Sequence, residues 1–223
     1  MSKREVAIQC AAILFDLDGV LVDSSACVER TWSGWAIKHG LDPRRVIELA
    51  HGRRTIETVQ LVAPHLSAAT EVSALTTSES TTTDGVLEVR GARELLLSLP
   101  NGTWAIVTSG SRSVATLRIR HTGLLMPEVL ICADEVQRGK PDPEGYLTAA
   151  KRLGISPSDC VVIEDAPAGV EAARAAGMRA IAVSGTYAPE ALAIADYTIP
   201  NLSTLQVSRT HSGAPLDIGA RLA

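Results

Sequence analysis

Aromatic side chains are scarce: one Phe, three Tyr and three Trp among 223 residues. A nucleic-acid single strand would find few platforms to stack on. Positive charge is not in excess either, since 21 Lys and Arg stand against 25 Asp and Glu for a formal net charge of −4. Nucleic acid and anionic membrane surfaces are therefore poor candidates as partners. Long apolar runs are missing, and none approaches the ~20 residues needed to span a bilayer. The run that follows Lys3 and Arg4, from Cys10 to Phe15, stops at Asp16, too short and too acidic at its end for a secretion signal. Cys10, Cys27, Cys132 and Cys160 lie far apart with no C-x-x-C pair. That spacing argues against a disulfide or thiolate-metal framework and for reduced thiols in a cytoplasm. What is present is ordinary: 46% hydrophobic and 21% charged residues, the usage of a globular domain. The length suits one large α/β domain, with or without a smaller insert, and nothing demands more than a monomer.

Short, nearly continuous apolar runs punctuate the chain: Ala11–Phe15, Thr103–Val107, Val129–Ala133, Cys160–Ile163, Ala180–Val183 and Tyr197–Ile199. Runs apolar throughout suit parallel strands buried on both faces. Helical periodicity fills the intervals. Tyr146, Ala149, Ala150 and Leu153 share one helix face with Gly154 as the stop, and another helix follows Pro167 and ends at Gly177. The alternation predicts an α/β fold with a doubly wound, Rossmann-like, mostly parallel sheet. Between Ser24 and Val89 the rhythm breaks. Val28, Trp32, Trp35 and Ala36 mark one face of a helix from Ser24 to Gly40, and Ile56, Val59, Gln60 and Ala63 mark a second, ended by Pro64. The polar stretch Thr76 to Asp84 reads either as a linker or as a solvated helix followed by a turn. The expected division is an α/β core of residues 1–23 plus 89–223 and an inserted helical domain of residues 24–88 over the carboxyl edge of the sheet. Beyond Leu202 the tail is polar, with Thr204, Ser208, Thr210, Ser212 and Pro215, and is expected to be partly disordered.

Chemistry-bearing residues follow the predicted strands. The first runs out into Asp16-Leu17-Asp18-Gly19, where residues two apart in extended chain point the same way and the glycine lets the chain bend. Thr103–Val107 leads to Thr108-Ser109-Gly110, whose hydroxyls and amides suit phosphate oxygens. Lys140 follows the third run inside Gly139-Lys140-Pro141-Asp142-Pro143, and Glu164-Asp165 closes the fourth. Carboxylates, hydroxyl and ammonium at one sheet edge are what a hard divalent cation and a phosphoryl group require. Simpler readings exist for several of these residues: Asp16 and Asp18 as a capped turn, Ser109 as a helix N-cap, Glu164 and Asp165 as caps of the next helix.

Taken together, D-L-D-G-V-L-V-D-S, T-S-G, G-K-P-D-P and E-D-A-P-A-G-V resemble the haloacid dehalogenase superfamily, in particular its phosphatases with a small helical cap. The likeness covers nearly the whole chain. Within that branch, His51-Gly52-Arg53-Arg54-Thr55 and the stretch from Trp104 to Ser111 look like bacterial sugar and sugar-alcohol phosphatases. The resemblance implies Asp16 as a nucleophile that forms an aspartyl-phosphate and Asp18 as general acid/base. It implies Thr108, Ser109 and Lys140 as holders of the phosphoryl group, and Mg²⁺ on Asp16, the Asp18 carbonyl and Asp165, with Glu164 close by. His51, Arg53 and Arg54 would contact a small phosphorylated sugar or polyol, unless they merely form the charged start of a helix. The alternative on the same scaffold is an isomerase resembling β-phosphoglucomutase. Its members carry a His in the first cap helix, where this chain has Val28.

Overall fold

The structure, a computed structural model, describes residues 5–209 and 216–222. In chain order its elements are β1 (Glu5–Cys10), β2 (Ala12–Phe15), β3 (Val22–Asp23), α1 (Ser25–Lys38), α2 (Pro43–Ala50), α3 (Thr55–Val62), α4 (Ala68–Glu79), β4 (Leu87–Glu88), α5 (Ala92–Ser98), β5 (Trp104–Val107), α6 (Arg112–His121), β6 (Leu130–Ile131), α7 (Glu144–Leu153), β7 (Cys160–Glu164), α8 (Pro167–Ala175), β8 (Arg179–Val183), β9 (Tyr197–Ile199), β10 (Leu205–Arg209) and β11 (Leu216–Arg221).

Six strands form one sheet in the order β6-β5-β2-β7-β8-β9, and every neighbouring pair is parallel. This is the doubly wound α/β architecture expected from the apolar runs. All four residues of β2 are buried, and the strand's period of two sends them to opposite faces. Ile13 and Phe15 join the cluster on one side, Ala12 and Leu14 the cluster on the other. Burying a side chain such as Phe15 contributes about 1.5–3 kcal/mol. From β2 the chain builds outward in both directions, to β5 and β6 on one flank and to β7, β8 and β9 on the other. A ligand site is expected at such a switch point, beyond the carboxyl ends of the strands.

Helices α1 to α4 enclose an apolar cluster of their own, built on Trp32, Trp35, Val46, Val59 and Leu75. The two indoles meet edge to face at 5.5 Å. This bundle joins the sheet layer through the antiparallel pair β3–β4, with Val22 opposite Glu88 and Asp23 opposite Leu87. Of the two readings of Thr76 to Asp84, the helix followed by a turn is the one observed: α4 runs to Glu79. Its Ser and Thr hydroxyls turn back on the helix, Thr77 donating to the Ser73 carbonyl and Ser80 to that of Thr77.

The tail differs from expectation. Thr210, Ser212 and Pro215 lie outside the described residues, but Thr204 and Ser208 belong to ordered structure, a 3-10 turn and β10. Strands β10 and β11 join β1 in an antiparallel sheet ordered β1-β11-β10. Along β11 burial alternates, with Leu216, Ile218 and Ala220 inside and polar or small residues between them. That is the pattern of a sheet with one wet face, which reads as polar tail when only continuous apolar runs are sought. All four cysteines are buried and unpaired. Among the described residues no helix is long and apolar enough to cross a membrane.

Candidate active site

Three strand ends and one loop converge. Asp16 follows β2, Thr108 follows β5, Glu164 ends β7, and Lys140 comes from the loop before α7. The Lys140 Nζ donates to Asp16 Oδ1 at 2.6 Å, to Glu164 Oε1 at 2.6 Å and to the Val107 carbonyl at 3.1 Å. It also sits 5.2 Å from the centre of the Tyr146 ring. All three ammonium protons are thus in use, and Lys140 brings the site its charge more than a spare donor. Burial alone would pull that ammonium's pKa down, but the Asp16 and Glu164 carboxylates outweigh it and hold it above the ordinary lysine value.

Glu164 is fully engaged. Oε1 accepts from Lys140 and from the Tyr146 hydroxyl at 2.7 Å, while Oε2 accepts from the Asp165 and Ala166 amides at 3.1 and 3.2 Å. It therefore satisfies amides of the turn before α8 and anchors Lys140; the reading of Glu164 and Asp165 as caps of α8 is not what is observed, since that helix has no side-chain cap bond. A Cβ at Gly169 would overlap its carboxylate. Gly19, at φ +83°, has a similar duty: a Cβ there would overlap the Asp165 carboxylate.

Asp16, Glu164 and Asp165 each offer an oxygen within 4.8 Å of the others, and all three residues are buried. Burial pushes the Asp16 carboxyl well above the usual carboxylate range; Lys140 opposes the rise, Glu164 and Asp165 add to it. Burial, followed by repulsion from Glu164, pushes Asp165 up to about 7, with the Thr186 hydroxyl and Lys140 opposing. Crowded acidic oxygens with a single ammonium among them fit a hard divalent cation that takes oxygen ligands.

Asp18 faces the same cavity but lies outside that acidic cluster. Its Oδ1 accepts from the Ser24 hydroxyl at 2.6 Å and from Arg118 NH1 at 2.7 Å. Its Oδ2 has no hydrogen-bond partner among the described residues. Ser24 does occupy the N-cap position of α1, yet makes no side-chain cap bond there; its hydroxyl is drawn to Asp18 instead. Thr108 Oγ1 accepts from the Gly110 amide at 3.0 Å, which leaves the hydroxyl proton for a phosphoryl oxygen.

One sequence expectation narrows, to the Ser109 backbone amide in place of its hydroxyl, and one needs correction. Ser109 lines the cavity, but its hydroxyl donates to the Gly52 carbonyl at 2.9 Å, tying the helical bundle to the sheet layer. It is not the N-cap of α6 either; that is Ser111, which accepts from the Val114 amide. Arg54 does not reach the cavity. Nε and NH2 bond Glu57 Oε1 at 2.9 and 2.6 Å, and NH1 and NH2 bond the Val136 and Gln137 carbonyls at 2.9 and 2.8 Å. Glu57 in turn accepts from the Gly139 amide at 3.0 Å. Arg54 is a clamp between α3 and the loop carrying Lys140. Of the three expected substrate contacts, His51 and Arg53 line the cavity and Arg54 does not.

The cavity lies between bundle and sheet, in the kind of cleft where small-molecule sites occur. Its floor holds Asp16, Asp18, Thr108 and Asp165; Val28 and Trp32 of α1 line it from the bundle side. Sequence reading missed Arg118, Glu79, Thr186 and Tyr187, which also line it. Arg118 stands in a helix with several basic residues and Glu79 in a Ser/Thr-rich tract, so neither carries a local signal.

The model of the haloacid dehalogenase-like hydrolase family matches residues 10–177. Hexitol phosphatase A of Escherichia coli K12 is 42% identical over 211 residues, covering 92% of this chain and 98% of that protein. Glycerol-1-phosphate phosphohydrolase 2 of Saccharomyces cerevisiae is 34% identical, with 84% and 80% covered. Among solved structures, β-phosphoglucomutase from Clostridium difficile superposes with a TM-score of 0.75 at 24% identity, over 88% of this chain and 93% of that one. At that identity the likeness concerns the fold.

Proposed function

Since this chain belongs to the haloacid dehalogenase-like hydrolases, we propose that its cavity hydrolyses the phosphate monoester of a small sugar or polyol through an aspartyl-phosphate on Asp16. The observation that carries the reading is the buried Lys140 joined at 2.6 Å to both Asp16 and Glu164, beside Asp165. Relatives named as phosphatases of a hexitol phosphate and of glycerol 1-phosphate support the substrate class. In this reading residues 24–88 form a cap over a catalytic core of residues 1–23 and 89–223. The enzyme acts as a monomer in the cytoplasm on small molecules, not on nucleic acid or membranes.

Each step falls to a side chain already in place. Lys140 fixes Asp16 through Oδ1, leaving its other oxygen to attack phosphorus. The new bond to Asp16 forms as the bond to the sugar oxygen breaks, and that oxygen takes its proton from Asp18. A water then gives a proton back to Asp18 and attacks the same phosphorus, releasing inorganic phosphate and regenerating Asp16. With Oδ1 anchored by Ser24 and Arg118, Asp18 has Oδ2 for both transfers. The Thr108 hydroxyl receives a phosphoryl oxygen. Mg²⁺ on Asp16, Asp165 and the Asp18 carbonyl, beside Glu164, would screen the approach of one anion to another. Uncatalysed phosphate-monoester hydrolysis needs acceleration of up to ~10²¹, so no single group suffices.

Val28 faces the cavity from α1. An apolar group there offers no proton transfer to hold back water, which favours hydrolysis over isomerisation. A panel of sugar, polyol and nucleoside phosphates, assayed with and without Mg²⁺, tests the reading. Phosphate release confined to small sugar or polyol esters and dependent on the cation is expected. Conversion of a hexose 1-phosphate into the 6-phosphate, or no phosphate from any ester, would overturn it.

A further inference from the structure

The reaction just described uses one arm of Arg118, NH1 on Asp18, and leaves its NH2 and the nearby Glu79 without a role. Arg118 lies on α6, is only 4% exposed, and lines the cavity. Glu79 is the last residue of α4, on the opposite side of the boundary between helical bundle and sheet layer. Arg118 NH1 is taken by Asp18. NH2 stands 3.7 Å from Glu79 Oε1, beyond hydrogen-bond length. Among the described residues it is the buried side-chain polar atom without any hydrogen-bond partner. Glu79 itself, 13% exposed at its side chain, makes no hydrogen bond through its carboxylate among those residues.

NH2 is ion-paired with Glu79 but lacks a hydrogen bond; a buried donor without one is costly and calls for an explanation. A donor and an acceptor at this separation, too far apart to bond each other, can both be satisfied by one atom that accepts and donates at once. A hydroxyl does so: its lone pair takes the NH2 proton and its own proton goes to the carboxylate. A carbonyl or ether oxygen would pair Arg118 and leave Glu79 unpaired; an ammonium would do the reverse.

We propose that Arg118 and Glu79 form a hydroxyl-reading pair that selects a polyol phosphate by one alcohol group of its carbon chain. The proposal rests on the phosphatase reading and adds the recognition element to it. The two arms come from the two layers that enclose the cavity, so an alcohol bridging them also ties bundle to sheet. The guanidinium is planar and rigid, so the alcohol that engages NH2 fixes NH1, and with it the anchored oxygen of Asp18. A matched substrate thereby steadies the group that transfers its proton, at a distance from the phosphate.

The test compares kcat/KM for a hexitol phosphate with kcat/KM for 4-nitrophenyl phosphate, which has no alcohol chain. Glu79→Leu keeps bulk and removes the acceptor; it is expected to lower the polyol-to-aryl ratio at least tenfold. Glu79→Gln retains one acceptor oxygen and is expected to recover part of that loss. Equal losses on both esters, or an unchanged ratio, would overturn the proposal, the pair then being filled by water. A wild-type protein inactive on both esters would instead remove the phosphatase reading, and this proposal with it. Should Glu79→Leu fail to fold, monodeoxy hexitol phosphates on the wild type read the same pair. Loss of one hydroxyl should then lower kcat/KM at least tenfold and the others much less, with the penalty shrinking in Glu79→Gln. Uniform penalties at every carbon would overturn the proposal.

Discussion

Replacing Arg54 by Ala separates closure of the cavity from recognition within it. The side chain makes two bonds across the boundary, to the Val136 and Gln137 carbonyls at 2.9 and 2.8 Å, and two to Glu57 on its own helix. Only the first two hold the layers together. A hydrogen bond from a charged group contributes about 1.5–3 kcal/mol when buried. One of this pair is solvent-exposed and the other part-buried, so about 1 kcal/mol each is the better figure. Their loss, about 2 kcal/mol, would shift the balance toward an open bundle by up to about 30-fold. Opening affects every ester alike. Arg54→Ala is therefore expected to lower kcat/KM on a polyol phosphate and on 4-nitrophenyl phosphate by similar factors of up to about 30. Arg53, which is exposed and lines the cavity, should behave differently, and Arg53→Ala should raise KM for the polyol selectively. Steady-state kinetics on both esters make the comparison. A polyol-selective loss in Arg54→Ala would refute the clamp and return that residue to the substrate.

Asp16→Asn should abolish turnover yet keep Mg²⁺-dependent binding of the substrate, measured by calorimetry; full activity would remove the covalent route. Asp165 is raised to about 7 in the metal-free protein, so its contribution to stability is present below the unfolded value near 4 and is lost as pH rises through about 7. Mg²⁺ requires the ionised carboxylates, so its addition should raise Tm more at pH 8 than at pH 5, as read by calorimetry against EDTA. The opposite order would contradict the carboxylate cluster as the cation site. Tyr146→Phe deletes a fully buried donor to Glu164 and should cost about 1.5–3 kcal/mol in urea unfolding; no loss would mean that Lys140 alone satisfies that oxygen.

What the sequence made legible was whatever lies within a short stretch of chain. The fully buried strand β2 reads as an apolar run, and Asp16 and Asp18 read as its outlet, because strand, turn and carboxylates are contiguous. Lys140 and Asp165 were legible through segments of distinctive wording, although their meeting at Asp16 is tertiary. Ser109 and Arg54 misled for a physical reason: both residue types fit the expected chemistry, and only the packed bundle shows their donors already committed to carbonyls across the boundary. Arg118 and Glu79 were invisible because the first sits among the basic residues of α6 and the second in a run of hydroxyls. The antiparallel sheet of β1, β10 and β11 escaped because its short strands are wet on one face.

The most direct measurement of the central claim is a rapid-quench single turnover with a ³²P-labelled sugar or polyol phosphate and Mg²⁺, followed by peptide mapping. Acid-stable, hydroxylamine-labile label is expected on the peptide containing Asp16, rising and falling with phosphate release and missing from Asp16→Asn. Phosphate released with no label on the protein, or label on a peptide without Asp16, would contradict it.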